Sequence, residues 1–362
     1  MYIVIAIIAF GILIAIHEFG HFISAKLCGV KVNEFAIGMG PKLFGKQGKE
    51  TLYSLRALPF GGFCAMEGQD EGTGDARAFV AQKRWRRVII LVAGSAANFI
   101  AAFILIVILT SGENFFRVTT ITDLSEDFPN KGVNGLMVGD TIHSINGERL
   151  YYLDDFSTFM QLARSGHVDL VIRRDGERIK LDRFPLERRV VLVDGEPLLI
   201  DGQPVLRYGI TFDVIEATPM GKFKYSCYTA FNFVRLIRVS IAQLVGGGVS
   251  IQDFSGPVGI IDAMNTIGQD AAQRYGFAAA LRSIVFFTAF IGVNLAVMNL
   301  LPIPALDGGR IVFILISWVV EKIIRRDLDP KYEGYVHTGA FVLLIGFMVF
   351  ILVQDVVKLV SN

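Results

Sequence analysis

A metal-binding pattern lies inside an apolar segment near the start of the chain. His17, Glu18 and His21 form the sequence H-E-x-x-H, and residues 2–25 are otherwise apolar except for Ser24. On a helix, residues four apart share a face, so both imidazoles can bind one metal ion with Glu18 beside them as a base. An ionisable side chain near the middle of a membrane costs roughly 2.5 kcal/mol or more, so such residues usually serve a function. Two unrelated core histidines are the alternative interpretation.

The composition indicates a polytopic membrane protein. Of the 362 residues, 52% are hydrophobic, and the mean hydropathy is +0.50. A net charge of +1 gives no general basic surface, so we expect the lipid bilayer and no nucleic acid as a partner. Cys28, Cys64 and Cys227 have no C-x-x-C spacing, which argues against a disulfide framework or a thiolate zinc site.

Apolar runs long enough to cross a bilayer predict four transmembrane helices. They occupy 1–29, 85–111, 284–317 and 338–362. The region 216–283 has a further apolar stretch, but Arg235 and Arg238 interrupt it. We therefore expect an amphipathic helix in the membrane interface, followed by a linker.

Basic residues concentrate in two loops, 30–84 and 318–337, and predict that both are cytoplasmic. Both termini and the segment 112–215 are then expected outside. Glycines and alternating apolar residues in the first loop predict membrane-associated β-hairpins. Strand-like composition and Asp-Gly turn signals predict a β-rich domain over 112–215.

Asp307 is the best candidate for a third metal ligand, because catalytic zinc usually has three protein ligands. His17 lies about 15 residues, or roughly 22 Å, into the first span, and Asp307 lies about 23 residues into the third. Both helices enter from the outside, so both residues fall in the cytoplasmic half. Pro302 and Pro304 break the third helix just before Asp307 and free its backbone for polar contacts.

These features together resemble the site-2 protease family of intramembrane zinc metalloproteases, in its bacterial branch with an inserted PDZ domain. The resemblance rests on His17 to His21, Pro59 to Phe63, Gly94 to Phe99, Ser255 to Gly259 and Asn299 to Gly309. The family's Gly-Pro in the second span appears here as Gly94-Ser95. Residues 135–147 resemble the G-L-x-x-G-D-x-I pattern of PDZ domains, and the available length fits one such domain.

The resemblance implies a role for each matching residue. His17, His21 and Asp307 correspond to the zinc ligands, and Glu18 corresponds to the catalytic acid and base. The substrate-binding residues would be Asn299, Pro302, Pro304 and the hairpin glycines Gly61 and Gly62. The implied location is the bacterial inner membrane. The implied substrates are single-span membrane proteins, for example anti-sigma factors or remnant signal peptides, cleaved by regulated intramembrane proteolysis.

Two other functions fit part of the pattern. A membrane metal transporter or metal sensor would also place His and Asp inside a membrane, but it should show polar residues along a pathway rather than at one depth. A catalytically inactive PDZ scaffold would not need the H-E-x-x-H residues. The PDZ-like domain itself could bind a peptide by strand addition or contact the outer domain of a substrate as a size filter.

Overall fold

The computed structural model describes residues 1–69, 73–163, 166–193, 196–200, 203–246, 256–325 and short stretches within 338–354. The chain divides into two compact units. The first contains Met1–Leu109 and Thr229–Asn362, and the second contains Thr110–Tyr228. Helices and strands are numbered below in chain order.

Three helices of the described chain are long and apolar enough to cross a membrane. They are α1 (Tyr2–Leu27), α2 (Arg84–Ser111) and α6 (Phe277–Asn299). The first unit also contains α5 (Pro257–Tyr275) and α7 (Asp307–Ile324). Helix α4 (Pro219–Val245) begins in the second unit and ends in the first. At 1.5 Å per residue, α1 extends for about 39 Å, which exceeds the roughly 30 Å of a bilayer's hydrocarbon core.

Apolar side chains hold α1 at both ends. Towards its start, Ala6 and Leu13 pack with Met264 of α5 and Ile284 of α6. Towards its end, Ala25 packs with residues of the β-hairpin region, α2 and α7: Val32, Cys64, Leu91 and Ile314. A third cluster joins α2, α4 and α6 through Ala102, Ile106, Phe233, Ile237 and Val293. The helix that carries H-E-x-x-H is therefore fixed by its neighbours towards both ends.

The region 216–283 differs from the expected interfacial helix and linker. The apolar face of α4 packs against α2 and α6, and Arg235 is buried with its guanidinium donating to Asn232 Oδ1. The expected linker contains α5, which starts with Gly256 and Pro257 and packs on α1 and α6. Its composition is too polar for a span, but its apolar stripe matches these two helices.

The predicted span 284–317 is interrupted where its two prolines predict, and its helices extend beyond both predicted ends. It consists of α6 and α7, separated by residues 300–306, which contain Pro302 and Pro304. Neither proline can continue a helix because each lacks a backbone donor. The predicted fourth span, 338–362, and most of the loop 318–337 fall largely outside the described residues, so the fourth helix stays a prediction.

Residues 32–66 form a sheet of two long bent strands, β1 (Val32–Gln47) and β2 (Leu52–Met66). Each strand contributes two segments, and the pairing gives the order 44–47, 52–55, 34–37 and 62–66. In the described chain, segment 62–66 is therefore an edge of this sheet. Exposed Met39, Leu43 and Phe44 are consistent with the predicted membrane association, which stays a prediction.

The second unit is β-rich. Its six-stranded sheet has the order β14-β3-β4-β6-β7, with β5 paired to β4. These strands are β3 (Phe115–Leu124), β4 (Thr141–Ile145), β5 (Glu148–Arg149), β6 (His167–Arg174), β7 (Glu177–Pro185) and β14 (Ile210–Glu216). Helix α3 (Leu153–Leu162) buries Phe156, Phe159 and Met160.

Three short antiparallel pairs lie between β7 and β14. Strand β8 (Arg189–Val190) pairs with β13 (Leu206–Arg207), β9 (Leu192–Val193) with β10 (Glu196–Pro197), and β11 (Leu199–Ile200) with β12 (Gln203–Pro204). The predicted Asp194-Gly195 turn lies outside the described residues. That this unit is PDZ-like stays a prediction.

Candidate active site

The two histidines of the H-E-x-x-H pattern face each other on α1. Their Nε2 atoms are 3.2 Å apart, and their rings are perpendicular with centroids 4.7 Å apart. Because the residues are separated by four positions, one helical turn places both rings on the same side of α1.

Asp307, the first residue of α7, meets both histidines. Its Oδ2 lies 3.3 Å from His17 Nε2 and 3.2 Å from His21 Nε2. The turn before it is tight: Ala305 has a φ of +78°, which is strained for a residue with a side chain. A Cβ on Gly308 would lie 2.3 Å from the carbonyl oxygens of Leu300 and Leu301. Glycine is therefore required for the turn to pack against the start of α7.

The three side chains fit a zinc ion. Their facing atoms form a triangle with edges of 3.2, 3.2 and 3.3 Å. Tetrahedral zinc with bonds of 2.0–2.1 Å requires ligand atoms about 3.3 Å apart. Two nitrogens and one carboxylate oxygen are also the donor set that catalytic zinc sites use. Among the described residues, one cluster of His, Cys, Asp or Glu side chains could hold a metal ion, and it consists of His17, His21 and Asp307.

Helix α2 packs closely against the two histidines. His21 Nδ1 donates a hydrogen bond to the carbonyl of Ile90 at 2.8 Å, which leaves Nε2 free to bind a metal. A Cβ on Gly94 would lie 2.4 Å from His21 Nε2 and 2.9 Å from His17 Cε1. A Cβ on Gly20 would lie 2.4 Å from the carbonyl oxygen of Ala93. The absence of side chains at both glycines permits this close crossing of α1 and α2.

A cavity of about 410 Å³ opens beside the triangle, and Glu18 lines it together with His17, His21 and Asp307. Its other wall includes Phe63, Cys64 and Met66 of the sheet edge. A Cβ on Gly62 would lie 3.5 Å from Glu18 Cγ. The edge strand and the glutamate therefore face the same space.

The structure places the remaining predicted site residues in different ways. Asn299 lines the cavity, and its Nδ2 lies 3.4 Å from His17 Nε2. Gly61 has a φ of +89° and contacts Met39 rather than the cavity. Pro302 and Pro304 are exposed and do not contribute to the cavity lining, which Ala305 and Leu306 supply from the same turn. The prolines therefore shape the turn without lining the site.

No role in the site was predicted for Ile90, Gly94, Gly308 or Gly309. A Cβ on Gly309 would lie 2.3 Å from the carbonyl oxygen of Ile303. Three of them are glycines next to motif residues, but their place in the sequence does not indicate which residues they contact.

Known proteins resemble this chain over nearly its whole length. The sequence pattern of peptidase family M50, the site-2 proteases, matches residues 5–347. A protein of Clostridium acetobutylicum named as a zinc metalloprotease is 38% identical over 358 residues, which is 98% of this chain and 97% of that protein. A Clostridium perfringens protein with the same description is 35% identical over 359 residues, 99% of each chain.

The zinc metalloprotease RasP of Oceanobacillus iheyensis is 27% identical over 435 aligned positions, 98% of each chain. These matches extend over nearly the whole chain, including both segments that supply the metal-binding triangle. They confirm the predicted enzyme class and zinc cofactor, and they disfavour the transporter and scaffold alternatives. The chain therefore belongs to peptidase family M50 and is a membrane zinc metalloprotease.

Proposed function

We propose that this enzyme hydrolyses peptide bonds within the transmembrane segments of single-span membrane proteins. The observation that carries this proposal is the depth of the site. His17 and Glu18 lie in the interior of α1, which has a mean hydropathy of 2.4 in its candidate span. Asp307 follows the end of α6, another candidate span. A site at this depth favours substrates that are themselves in the membrane.

The edge of the sheet supports a way to hold such a substrate. A helix in the membrane hides its peptide carbonyls in internal hydrogen bonds, so cleavage requires local unwinding. Segment 62–66 borders the cavity and pairs on one side with 34–37. An unwound substrate could add to it as a further strand, with the Asn299 amide next to the scissile bond. Gly62 lets this strand pass close to the Glu18 side chain.

The chemistry follows from the residues around the cavity. His17, His21 and Asp307 would hold zinc, which supplies an electrophile that activates water and polarises a peptide carbonyl. Glu18 would remove a proton from the attacking water at its carboxylate and pass that proton to the leaving amine nitrogen. Buried apolar side chains of the surrounding helices hold these groups in place.

The experiment uses the purified full-length enzyme in lipid vesicles with a single-span substrate. We predict cleavage within the substrate's apolar span, located by mass spectrometry. Glu18→Gln should lower turnover by roughly 10²–10⁴-fold because it removes the proton transfer, while bound zinc stays near one ion per chain. His17→Ala should instead bind zinc much more weakly, so that the purified protein contains clearly less than one ion per chain.

A matched control is Glu216→Gln, an exposed glutamate of the second unit, which should leave turnover and zinc unchanged. Near-normal turnover by Glu18→Gln would remove Glu18 from the mechanism. Cleavage only outside the apolar span would overturn the proposed substrate class. Zinc-dependent ion flux across the vesicles without cleavage would favour transport.

The proposed location is the bacterial inner membrane, with both termini and the unit 110–228 outside the cytoplasm. Membrane-bound anti-sigma factors and remnant signal peptides are the first substrates to test. Both are single-span proteins, and helix-breaking residues in their spans should make them better substrates.

A further inference from the structure

Four polar atoms of α1 and α2 are buried without a partner among the described residues. They are His17 Nδ1, Ser95 Oγ, and Oδ1 and Nδ2 of Asn98. Ser95 and Asn98 are each 1% exposed. Unpaired polar atoms inside apolar helices are costly, and native proteins generally supply a partner for them. The proposed zinc site gives no role to either α2 residue.

These atoms belong to one crossing of α1 and α2. Asn98 follows Gly94 by four residues, so both lie on the same face of α2. The position that a Cβ on Gly94 would take is 2.9 Å from His17 Cε1, and Cε1 is bonded to the unpaired Nδ1. Helical side chains lean towards the N-terminus of their helix. The Asn98 amide therefore leans towards the turn of Gly94, where the His17 ring lies.

The two histidines differ in what supports them. His21 Nδ1 donates to the carbonyl of Ile90, and this bond fixes the orientation of its ring. His17 has no equivalent bond within the described residues. Histidines that bind metals almost always donate their second ring N–H to a carboxylate, a carbonyl or water. Among the described residues, no protein atom forms a hydrogen bond with His17 Nδ1.

A single water molecule can satisfy this requirement. A buried water needs two to four polar partners. His17 Nδ1 and Asn98 Oδ1 supply two, and neither atom has a partner among the described residues. No direct hydrogen bond joins Asn98 to His17, so a bridging molecule suits the geometry better than direct contact.

We propose that a buried water molecule bridges His17 Nδ1 and Asn98, and that Asn98 is a positioning residue for His17. The water accepts a hydrogen bond from His17 Nδ1 and donates to Asn98 Oδ1. This bond holds the His17 ring with Nε2 facing His21 and Asp307. The inference rests on the proposed zinc assignment of these three residues.

The test measures zinc affinity rather than proteolysis. Asn98→Leu keeps the size of the side chain and removes both polar atoms. In full-length protein, competition with a chromophoric chelator should show roughly 10–100-fold weaker zinc binding. The control is Thr288→Val, another buried polar residue of an apolar helix, whose hydroxyl donates to Ile284. It should bind zinc as the parent protein does.

A double-mutant comparison separates positioning from general packing. In a His17→Ala background, Asn98→Leu should cause no further loss, because its effect passes through His17. In a His21→Ala background, it should still weaken zinc binding. Equal losses in both backgrounds would identify a packing effect and overturn the proposal, and so would unchanged affinity in Asn98→Leu alone. If His17→Ala itself leaves zinc binding unchanged, the zinc assignment fails instead.

A second measurement needs no variant. An experimental structure of the unmodified protein, at a resolution that shows ordered water, should contain a water bridging His17 Nδ1 and Asn98. A direct bond or an empty gap between them would overturn the proposal, even if Asn98→Leu fails to fold.

Discussion

At the residue scale, glycines shape the site as much as the reactive side chains do. Gly94 and Gly20 allow α1 and α2 to approach until backbone and imidazole atoms are in contact, and Gly308 allows the turn before Asp307 to pack on α7. The catalytic geometry depends on these approaches because the ligand atoms come from helices distant in sequence. A single methyl group at such a position should therefore act on the metal directly.

We predict that Gly94→Ala loses zinc and activity together. Its Cβ would lie 2.4 Å from His21 Nε2, so the imidazole must move, and a misplacement of about 1 Å can lower turnover on the order of a hundredfold. Elemental analysis of the purified protein measures the bound zinc. Gly346→Ala is the control, since that glycine is helical, exposed and has nothing within 4 Å of its Cβ position. Full zinc content in Gly94→Ala would contradict the close approach.

At the scale of elements, polar contacts fix the sheet to the end of α1. Lys26, near the end of α1, lies with its Nζ 2.5 Å from Glu50 Oε1. The Nη1 of Arg77 lies 2.7 Å from Glu50 Oε2. Thr51 Oγ1 donates to the carbonyl of Val32 at 2.7 Å. These contacts keep the strand edge 62–66 beside the helix that carries Glu18.

Glu50 should make the stability of the first unit depend on pH. Hydrogen bonds from Arg77, and then Lys26, lower the pKa of Glu50 from 4.5 to about 2. A carboxyl group with a lowered folded-state pKa stabilises the fold above its unfolded-state pKa, and this contribution is lost as the pH falls through the folded-state pKa. The contribution of Glu50 is therefore complete above pH 4.5 and disappears towards about pH 2.

Thermal unfolding in detergent at a series of pH values tests this expectation. Glu50→Gln should be less stable than the parent protein at neutral pH, and the difference should shrink below pH 4.5. The exposed-residue variant Glu216→Gln serves as the control. A difference that stays constant with pH would show that the charge of Glu50 does not support the sheet.

The orientation of the whole molecule follows from its basic loops. The segment 30–84 contains most of the cationic residues that precede α2, and such loops remain on the cytoplasmic side. The unit 110–228 follows α2 and is then expected outside. Both expectations can be tested on described, exposed positions of the chain.

We predict opposite labelling of Lys49→Cys and Glu177→Cys in intact bacterial spheroplasts. Each variant is made after Cys28, Cys64 and Cys227 have been replaced. A maleimide that cannot cross the membrane should react with Cys at 177 directly and with Cys at 49 only after permeabilisation. Retained proteolytic activity of the cysteine-free protein is the control. Labelling at 49 in intact spheroplasts would reverse the proposed orientation.

The sequence by itself determined which residues are predicted to form the site. Helical periodicity placed His17 and His21 on one face, and the apolar surroundings identified the cluster as functional. Membrane depth then singled out Asp307, and the structure brings all three within 3.3 Å of one another. These inferences were possible because each depends on local spacing or on burial in a membrane, which composition reports directly.

Only the tertiary structure decided which residues support that site. Gly94, the Ile90 carbonyl and Asn98 act through helix crossings, and α5 lies where the sequence predicted a linker. The exposed positions of Pro302 and Pro304 likewise depend on how the turn packs against α7. Contacts between segments that are far apart in the sequence leave no periodic pattern in it. Their energy comes from the fit of two surfaces, and that fit exists only after both helices are in place.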